Sequence, residues 1–266
     1  MGWHSAGRRA KRSRTKPDLA SSRHGPDDMR VLLTRTETAS RKTADRLHVL
    51  GHDTVLLPLA EAIHHSDDAL EALSKPHAAL AVTSREALRC LVSHHEALRP
   101  HLETPLFAVG AATADAARHL GFRNVNSAEG DGAALARTIA TAPIEWTDPL
   151  LYLAGQPRKR SLEEGLHQSS IPFDVVEAYT MQGMVYKPED IIDRLEGKSV
   201  DAVLLYSAET ARRFFALPLS GEIANLFASA HIFCLSTDIA ENVAKPFRNR
   251  VSVAPHPHEE ALLSLL

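Results

Sequence analysis

The sequence predicts an α/β fold of two similar three-layer lobes, each with a mainly parallel sheet, and three observations lead to this prediction. From Arg30 onward, short β-branched and aliphatic runs alternate with amphipathic stretches, which is typical of parallel sheets with connecting helices. Segments of the first half of the chain recur in the second half. The 266 residues are 44% hydrophobic, so the chain has enough apolar side chains to bury a sizeable core.

Nine short runs are predicted to form strands because they are apolar, rich in β-branched residues and separated by polar or amphipathic segments. They are residues 31–34, 55–59, 78–83, 106–109, 150–154, 175–179, 202–206, 232–235 and 251–253. Helices are expected between them.

The helix after the third predicted strand has the clearest pattern. Leu88, Leu91 and Val92 share one face at helical spacing, and Thr83 and Glu86 have the spacing of a capping box. The helix is therefore predicted to begin two residues after Thr83.

The internal repeat is clearest in two pairs of segments. Residues 79–89 (ALAVTSREALR) align with 202–212 (AVLLYSAETAR) at an offset of 123, which is 207 minus 84. Residues 105–125 align with 231–251 through shared Phe, Ala and Phe-Arg-Asn positions. A weaker pair sets the first predicted strand against the fifth. A period this long excludes a solenoid and favours duplication of an α/β unit.

Small, hydroxyl or basic residues follow six predicted strands, at the corners where ligands bind in open α/β sheets. Taken singly, each corner fits an ordinary N-cap or turn, whereas their recurrence in both halves favours a binding site. The residues are Arg35, Thr83–Ser84, Gly110 with Thr113, Gly155 followed by Arg158, Lys159 and Arg160, Ser207, and Ser236–Thr237.

Composition and motif searches exclude several classes of protein. Lys and Arg number 30 and Asp and Glu 33, a net charge of -3 that gives no global footprint for nucleic acid or an anionic membrane. Two cysteines are too few for a disulfide framework or a four-thiolate zinc site, and they indicate a reducing compartment. No apolar run has the length of a membrane span. We therefore expect a soluble, cytoplasmic protein.

No cofactor fingerprint is present. The chain lacks the phosphate-binding loop, a full dinucleotide-binding glycine motif, HExxH and GxSxG. The histidine pairs, such as His64 and His65, lack a metal-site spacing, and we interpret them as solvated helix and loop residues. The expected site contains no metal, no nucleotide cofactor and no covalent intermediate.

Residues 1–28 are predicted to form a disordered basic tail. They carry seven basic and three acidic residues, hence a charge of +4, and little apolar periodicity. An organelle transit peptide and a nucleic-acid-binding tail remain as alternatives. The other 238 residues carry 23 basic and 30 acidic side chains, hence a charge of -7.

Seven short motifs occur in order along the rest of the chain. They are VLLTR at 31–35, TSREAL at 83–88, AVGAATA at 108–114, LAGQPRKRSL at 153–162, VVEAYTM at 175–181, LLYSAET at 204–210 and APHPHEEALLSLL at 254–266. Each is degenerate, but their order and spacing together are distinctive. Residues 30–266 resemble the uroporphyrinogen-III synthase family in these features.

The resemblance implies a particular division of the chain. Residues 30–58 and 186–266 would form lobe 1 and residues 65–175 lobe 2, and strands at 59–64 and 176–185 would make a two-strand hinge. It also implies a monomeric, cofactor-independent lyase that closes linear hydroxymethylbilane into uroporphyrinogen III with inversion of the last pyrrole ring, with no nucleic-acid or membrane partner.

The resemblance also implies the site residues. Tyr179 matches the family's candidate acid, which would protonate the departing hydroxyl group. The substrate carries eight carboxylates, which a body of net charge -7 would repel unless the cleft were locally positive. Substrate-binding roles are expected for Arg35, Ser84, Gly110, Thr113, Gly155, Arg158, Lys159, Ser207 and Thr237.

One corner departs from the family pattern. A glycine followed by a Thr-Ala pair is usual in the second lobe, whereas this chain has Ser236–Ala240 there. The expected threonine hydroxyl group is lost at that alignment, and Asp238 places a negative charge where a substrate carboxylate is expected, so either Thr237 substitutes for the threonine or this corner no longer binds. This departure favours an alternative, a non-catalytic module that binds a tetrapyrrole or another polycarboxylate. A two-lobed small-anion binding protein is a third interpretation, which lacks support because the leader has no apolar segment for export.

Overall fold

The computed structural model describes Met1 and residues 28–266, so the predicted tail lies outside the described residues except at its two ends. Within the described residues, eleven strands form two sheets. In chain order the strands are β1 (Arg30–Leu33), β2 (Asp53–Leu56), β3 (Ala60–His64), β4 (Ala79–Val82), β5 (Leu106–Val109), β6 (Val125–Ala128), β7 (Leu150–Gln156), β8 (Phe173–Gly183), β9 (Ala202–Leu205), β10 (His231–Cys234) and β11 (Val251–Val253).

Helices connect most of the strands. They are α1 (Glu37–Val49), α2 (Ser66–Leu73), α3 (Arg85–Arg89), α4 (His95–Leu98), α5 (Ala111–His119), α6 (Gly132–Ala140), α7 (Ser161–Gln168), α8 (Pro188–Arg194), α9 (Ala208–Phe215), α10 (Gly221–Leu226), α11 (Thr237–Ala240) and α12 (Glu259–Leu263). Short 3-10 helices cover Arg99–His101 and Lys245–Arg250. No helix among the described residues combines the length and apolar character needed to cross a bilayer.

The two sheets have equivalent strand orders. The first sheet runs β11-β10-β9-β1-β2 and is parallel throughout, and the second runs β3-β8-β7-β4-β5-β6. The second sheet is parallel except for the antiparallel pair β3 and β8. The order β2-β1-β9-β10-β11 therefore matches β8-β7-β4-β5-β6, with the repeated sequence segments in corresponding strands. The predicted duplication is confirmed at the level of topology.

Each sheet is buried on both faces, which gives each lobe three layers. Leu32 points to the face covered by α8, α9 and α10, whereas Val31 and Leu33 point to the face covered by α1 and α12. In the second sheet, Leu80 faces α2 to α5 and Ala81 faces α6 and α7. Strands buried on both sides read as continuous apolar runs, which is why the sequence reveals them. The predicted α/β class with two similar lobes is confirmed.

Several local predictions were wrong. The predicted capping box at Thr83 and Glu86 does not form, because Ser84 is the N-cap of α3 and its Oγ accepts a hydrogen bond from the Glu86 amide at 3.1 Å. Helix α3 ends at Arg89, so Val92 lies beyond it and is exposed. Strand β6 was not predicted because its sequence, VNSA, is polar and forms a sheet edge.

Strands β3 and β8 carry the chain between the sheets. They pair antiparallel from Ala60 opposite Gly183 to His64 opposite Tyr179. β8 also pairs parallel with β7 as far as Thr180, so most of it completes the second sheet. The exact boundaries of lobes and hinge stay a prediction.

Candidate active site

Tyr179 lies at the carboxyl end of β7, on the strand that returns from the second sheet. It is opposite Gly155 of β7 and opposite His64 of β3, and a register irregularity between Ala154 and Gly155 sets its position. The ring covers Gly155 so closely that a Cβ atom at Gly155 would overlap it. Gly155 is buried and gives the tyrosine ring the room to lie against the sheet. Its predicted contact with substrate stays a prediction.

The surroundings of Tyr179 keep its hydroxyl group protonated. Burial raises the pKa of Tyr179 above its ordinary value of 10.0, a hydrogen bond with the Ser84 side chain lowers it, and the charge of Glu86 raises it. The net shift is upward. A phenol in this position is therefore a proton donor at neutral pH, which is the state that a general acid requires.

His64 and Glu86 form a pair that the sequence analysis missed. His64 Nε2 is 2.8 Å from Glu86 Oε1, and the other carboxylate oxygen of Glu86 binds Arg89. His64 is exposed to solvent, as expected, but it ends strand β3 instead of lying in a helix or loop. It contacts the carboxylate of Glu86, whose side chain is only 14% exposed. The TSREAL motif contains Glu86, but only the pairing of strands brings His64 to it.

The basic segment after β7 divides into one neutralised and two exposed cations. Arg158 Nε is 2.6 Å from Glu163 Oε1, and its Nη1 is 3.1 Å from Glu177 Oε1. The hydrogen bond from Arg158 to Glu163 is the main reason why the pKa of Arg158 is raised. Lys159 and Arg160 are exposed and make no ion pair within the described residues. These two are the side chains whose charge is available to an anion.

Two other predicted residues of this lobe lie at the corner after β5. Gly110 has a φ of +73°, a backbone conformation that favours glycine, and it precedes the first turn of α5. A Cβ atom at Gly110 would meet no atom within 4 Å, so conformation and not crowding favours glycine there. Thr113 is buried in α5. The contact of either residue with substrate stays a prediction.

Arg35 follows strand β1 of the first sheet and is held by Glu259 of the C-terminal helix α12. Its Nη1 is 3.2 Å from Glu259 Oε1, and its guanidinium carbon lies 4.4 Å from the centre of the Tyr206 ring. Glu259 also accepts hydrogen bonds from Thr43 at 2.7 Å, Arg46 at 2.7 Å and Tyr206 at 3.0 Å. Arg35 is therefore oriented by these contacts.

The Glu259 carboxylate stays ionised at neutral pH. Burial by itself would raise the pKa of Glu259, but the hydrogen bonds from Thr43 and Tyr206 and the charges of Arg35 and Arg46 outweigh it and lower the pKa. The ion pair with Arg35 therefore persists at neutral pH.

The remaining predicted residues begin helices of the first lobe. Ser207 is the N-cap of α9, where its Oγ accepts a hydrogen bond from the Thr210 amide at 3.0 Å. Thr237 is the first residue of α11 and is exposed, and so is Asp238 beside it. The departure at this corner thus places an exposed negative charge next to the predicted hydroxyl group.

A cavity of about 220 Å³ lies where the two lobes and the crossing strands meet. Its lining includes Glu37 at the start of α1, His64 of β3, Glu86 of α3 and Arg194 at the end of α8. The other lining residues are Thr36, Thr38, Pro58, Ala60, Glu61, Ala62, Arg89, Met184 and Tyr186. Corners of both sheets therefore face a common space beside the pair of His64 and Glu86.

Comparison with known proteins assigns this arrangement to a family. The family model described as uroporphyrinogen-III synthase HemD matches residues 41–264. The chain belongs to the uroporphyrinogen-III synthase family. A uroporphyrinogen-III synthase of Schizosaccharomyces pombe is 28% identical over 178 residues, which are 59% of this chain and 67% of that protein.

Solved structures of the family share the fold. The crystal structure of uroporphyrinogen-III synthetase from Helicobacter pylori 26695 superposes with a TM-score of 0.59 at 16% identity. The match covers 90% of this chain and 97% of that one. At this identity the likeness supports the fold class alone, with two α/β lobes.

Membership of the uroporphyrinogen-III synthase family establishes which reaction the chain catalyses. The family consists of cofactor-independent cyclising lyases of haem biosynthesis, and this chain functions as a uroporphyrinogen-III synthase. The predicted family, function and role in tetrapyrrole biosynthesis are confirmed. The alternative of a non-catalytic binding module is not favoured.

Proposed function

We propose that the chain closes hydroxymethylbilane into uroporphyrinogen III in the space between its lobes, with Tyr179 as the acid. The position of Tyr179 in the fold carries its assignment. The phenol is kept protonated by burial, lies at the carboxyl ends of β4 and β7 beside Ser84, and stands on the strand that crosses between the sheets. Ligands of open α/β sheets bind at such carboxyl ends.

The first chemical step is the departure of the hydroxyl group. Tyr179 Oη transfers its proton to the hydroxymethyl oxygen, the carbon–oxygen bond breaks, and water leaves behind a conjugated azafulvene cation. The last pyrrole ring then attacks through its substituted carbon and forms a spiro intermediate, which fragments and recloses with that ring inverted. Unassisted closure gives the uninverted isomer, so the protein must hold the chain in one geometry.

The substrate's eight carboxylates require positive charge at the rim of this space. Lys159 and Arg160 supply exposed charges beside β7. Arg35, beyond the end of β1, is oriented by its ion pair with Glu259, which also offsets part of its charge. Backbone N–H groups at the starts of α5 and α9, near Thr113 and Ser207, favour anions as well. Arg158 contributes less to attraction because Glu163 and Glu177 already neutralise it.

The decisive experiment measures the isomer that forms. The purified protein, given freshly prepared hydroxymethylbilane, is expected to raise the fraction of type III isomer well above the protein-free control, since only guided closure inverts the last ring. Chromatography of the oxidised porphyrins measures the ratio. An isomer ratio equal to that of the control would refute the proposed function.

Removal of the exposed charges tests the binding role. We expect Lys159→Gln and Arg160→Gln each to raise KM about two- to fivefold, the range of an exposed ion pair, with kcat unchanged. The salt dependence of KM is also expected to weaken, because fewer charges attract the substrate. Initial rates at several salt concentrations measure both effects.

Arg137→Gln is the matched control for these two variants. Arg137 is exposed in α6, makes no ion pair within the described residues, and lies away from the carboxyl edge of the sheet. Its loss changes the net charge equally, so an equal rise in KM would assign the effect to long-range attraction and not to contact with substrate.

The proposal also includes the division of the chain that the resemblance implies, as well as a monomeric, cytoplasmic enzyme. Sheet membership supports the division, because β1 and β2 join β9, β10 and β11. Cys90 and Cys234 are both free and buried, and burial raises the pKa of each to about 12, which suits a reducing compartment. Light scattering measures the mass of the protein in solution.

A further inference from the structure

The pair formed by His64 and Glu86 has no role in the mechanism described so far. His64 Nε2 contacts Glu86 Oε1 at 2.8 Å, while no described residue within hydrogen-bonding distance engages His64 Nδ1. The Glu86 side chain is 14% exposed, and its second oxygen is held by Arg89. A carboxylate fixed in this way orients an imidazole, as it does in catalytic triads.

The fold places this pair beside the proposed acid. His64 is directly opposite Tyr179 in the antiparallel pair of β3 and β8, and opposite residues point to the same face of a sheet. Glu86 approaches from α3, whose N-cap is Ser84, a side chain close enough to the Tyr179 hydroxyl group to influence its pKa. His64 and Glu86 also line the 220 Å³ cavity between the lobes. An acid and an imidazole–carboxylate pair thus share one surface.

The reaction requires a base as well as an acid. The hydroxyl oxygen gains a proton on the first ring, whereas the α-carbon of the last ring must lose one after the final carbon–carbon bond forms. The two atoms belong to different rings at opposite ends of the chain. Two neighbouring groups with separate tasks therefore fit the chemistry better than one group that serves both atoms.

We propose that His64 is the base that completes ring closure and that Glu86 is its positioning residue. This inference rests on the proposed function. His64 Nδ1 takes the proton from the α-carbon, the electron pair of that C–H bond restores the aromatic pyrrole, and an N–H bond forms. The imidazolium then releases its proton to solvent, and the Tyr179 phenolate takes one proton from solvent. The cycle therefore consumes and releases one proton.

The test uses His64→Ala with substrate deuterated at the free α-carbon of its last pyrrole ring. We expect kcat to fall about 10²-fold, the usual contribution of a general base, while KM changes little and the product remains type III. Loss of the base makes breakage of the C–H bond limiting, so the kinetic isotope effect on kcat is expected to rise. Added imidazole is expected to restore part of the rate.

Two variants accompany this measurement. Glu86→Gln keeps the shape but loses the charge, and we expect a smaller fall in kcat, again with a raised isotope effect. His65→Gln is the control, since His65 is the next residue and contacts Thr180 through its side chain instead of Glu86. The kcat and the isotope effect of His65→Gln are expected to equal those of the unsubstituted protein.

Several outcomes would overturn the inference. An unchanged kcat, a rise in KM alone, or a slower reaction with neither isotope effect nor imidazole rescue would each remove the base role. A variant that unfolds at lower temperature is still informative, because imidazole rescue and the isotope effect are measured on its folded fraction. Failure of the proposed function would be recognised separately, because the unsubstituted protein would then form no excess of type III isomer.

Discussion

Tyr179→Phe is expected to lower kcat about 10²-fold while leaving KM and the melting temperature nearly unchanged. The substitution removes only the hydroxyl group, so the ring still packs over Gly155. The pH profile supplies a second test. An acid must be protonated, and burial raises the pKa of Tyr179, so kcat is expected to fall with rising pH only above about 10. Tyr179→Phe should lose this alkaline limb.

Tyr152→Phe is the matched control for that experiment. Tyr152 is fully buried in the same sheet and its hydroxyl group is 2.9 Å from Thr83 Oγ1, so it cannot reach the substrate. We expect its kcat to stay within about twofold and its stability to fall by about 1 kcal/mol, the value of one hydrogen bond. An unchanged rate in Tyr179→Phe, or equal losses in both variants, would contradict the acid role.

Gly155→Ala is expected to reduce both stability and activity. The added methyl group would overlap the Tyr179 ring, so the ring must move away from the position beside Ser84. Overpacking of this kind costs about 1–3 kcal/mol, and a displaced acid lowers kcat. Chemical unfolding measures the first effect, and initial rates normalised to folded protein measure the second.

Gly165→Ala separates crowding from displacement of the acid. A Cβ atom at Gly165 would lie 2.5 Å from the Ala136 Cβ atom, between α6 and α7 and away from Tyr179. We expect a similar loss of stability with kcat unchanged. In a Tyr179→Ala background, Gly155→Ala should cost less stability than alone, because the ring it overlaps is absent. If Gly155→Ala lowered stability by the same amount in the Tyr179→Ala background as alone, overlap with the ring would not be the cause of the loss.

The fold was largely predictable because its information is local and repeated. Strands buried on both faces read as apolar runs, and the similarity of 79–89 to 202–212 indicated two equivalent units. The N-cap positions of Ser84 and Ser207 were predictable for the same reason, since each residue follows a strand and caps the next helix. The polar edge strand β6 was missed because its burial depends on one neighbour only.

The composition of the site was less predictable. Three consecutive basic residues look alike in the sequence, but Arg158 is neutralised by Glu163 and by Glu177, which lies 19 residues further along the chain. Likewise, no local pattern indicates that the antiparallel pair of β3 and β8 places the exposed His64 opposite Tyr179 and beside Glu86.

The sequence alone therefore determined the α/β class, the duplication, the family resemblance and the strand-to-helix corners at which a binding site is predicted, because hydrophobic period and capping residues act over a few positions. Only the tertiary structure decided which charges remain available and which groups meet. Strand register does this, since a shift of one residue turns every side chain to the opposite face. The register irregularity between Ala154 and Gly155 is an example, since it sets the position of Tyr179 against the sheet.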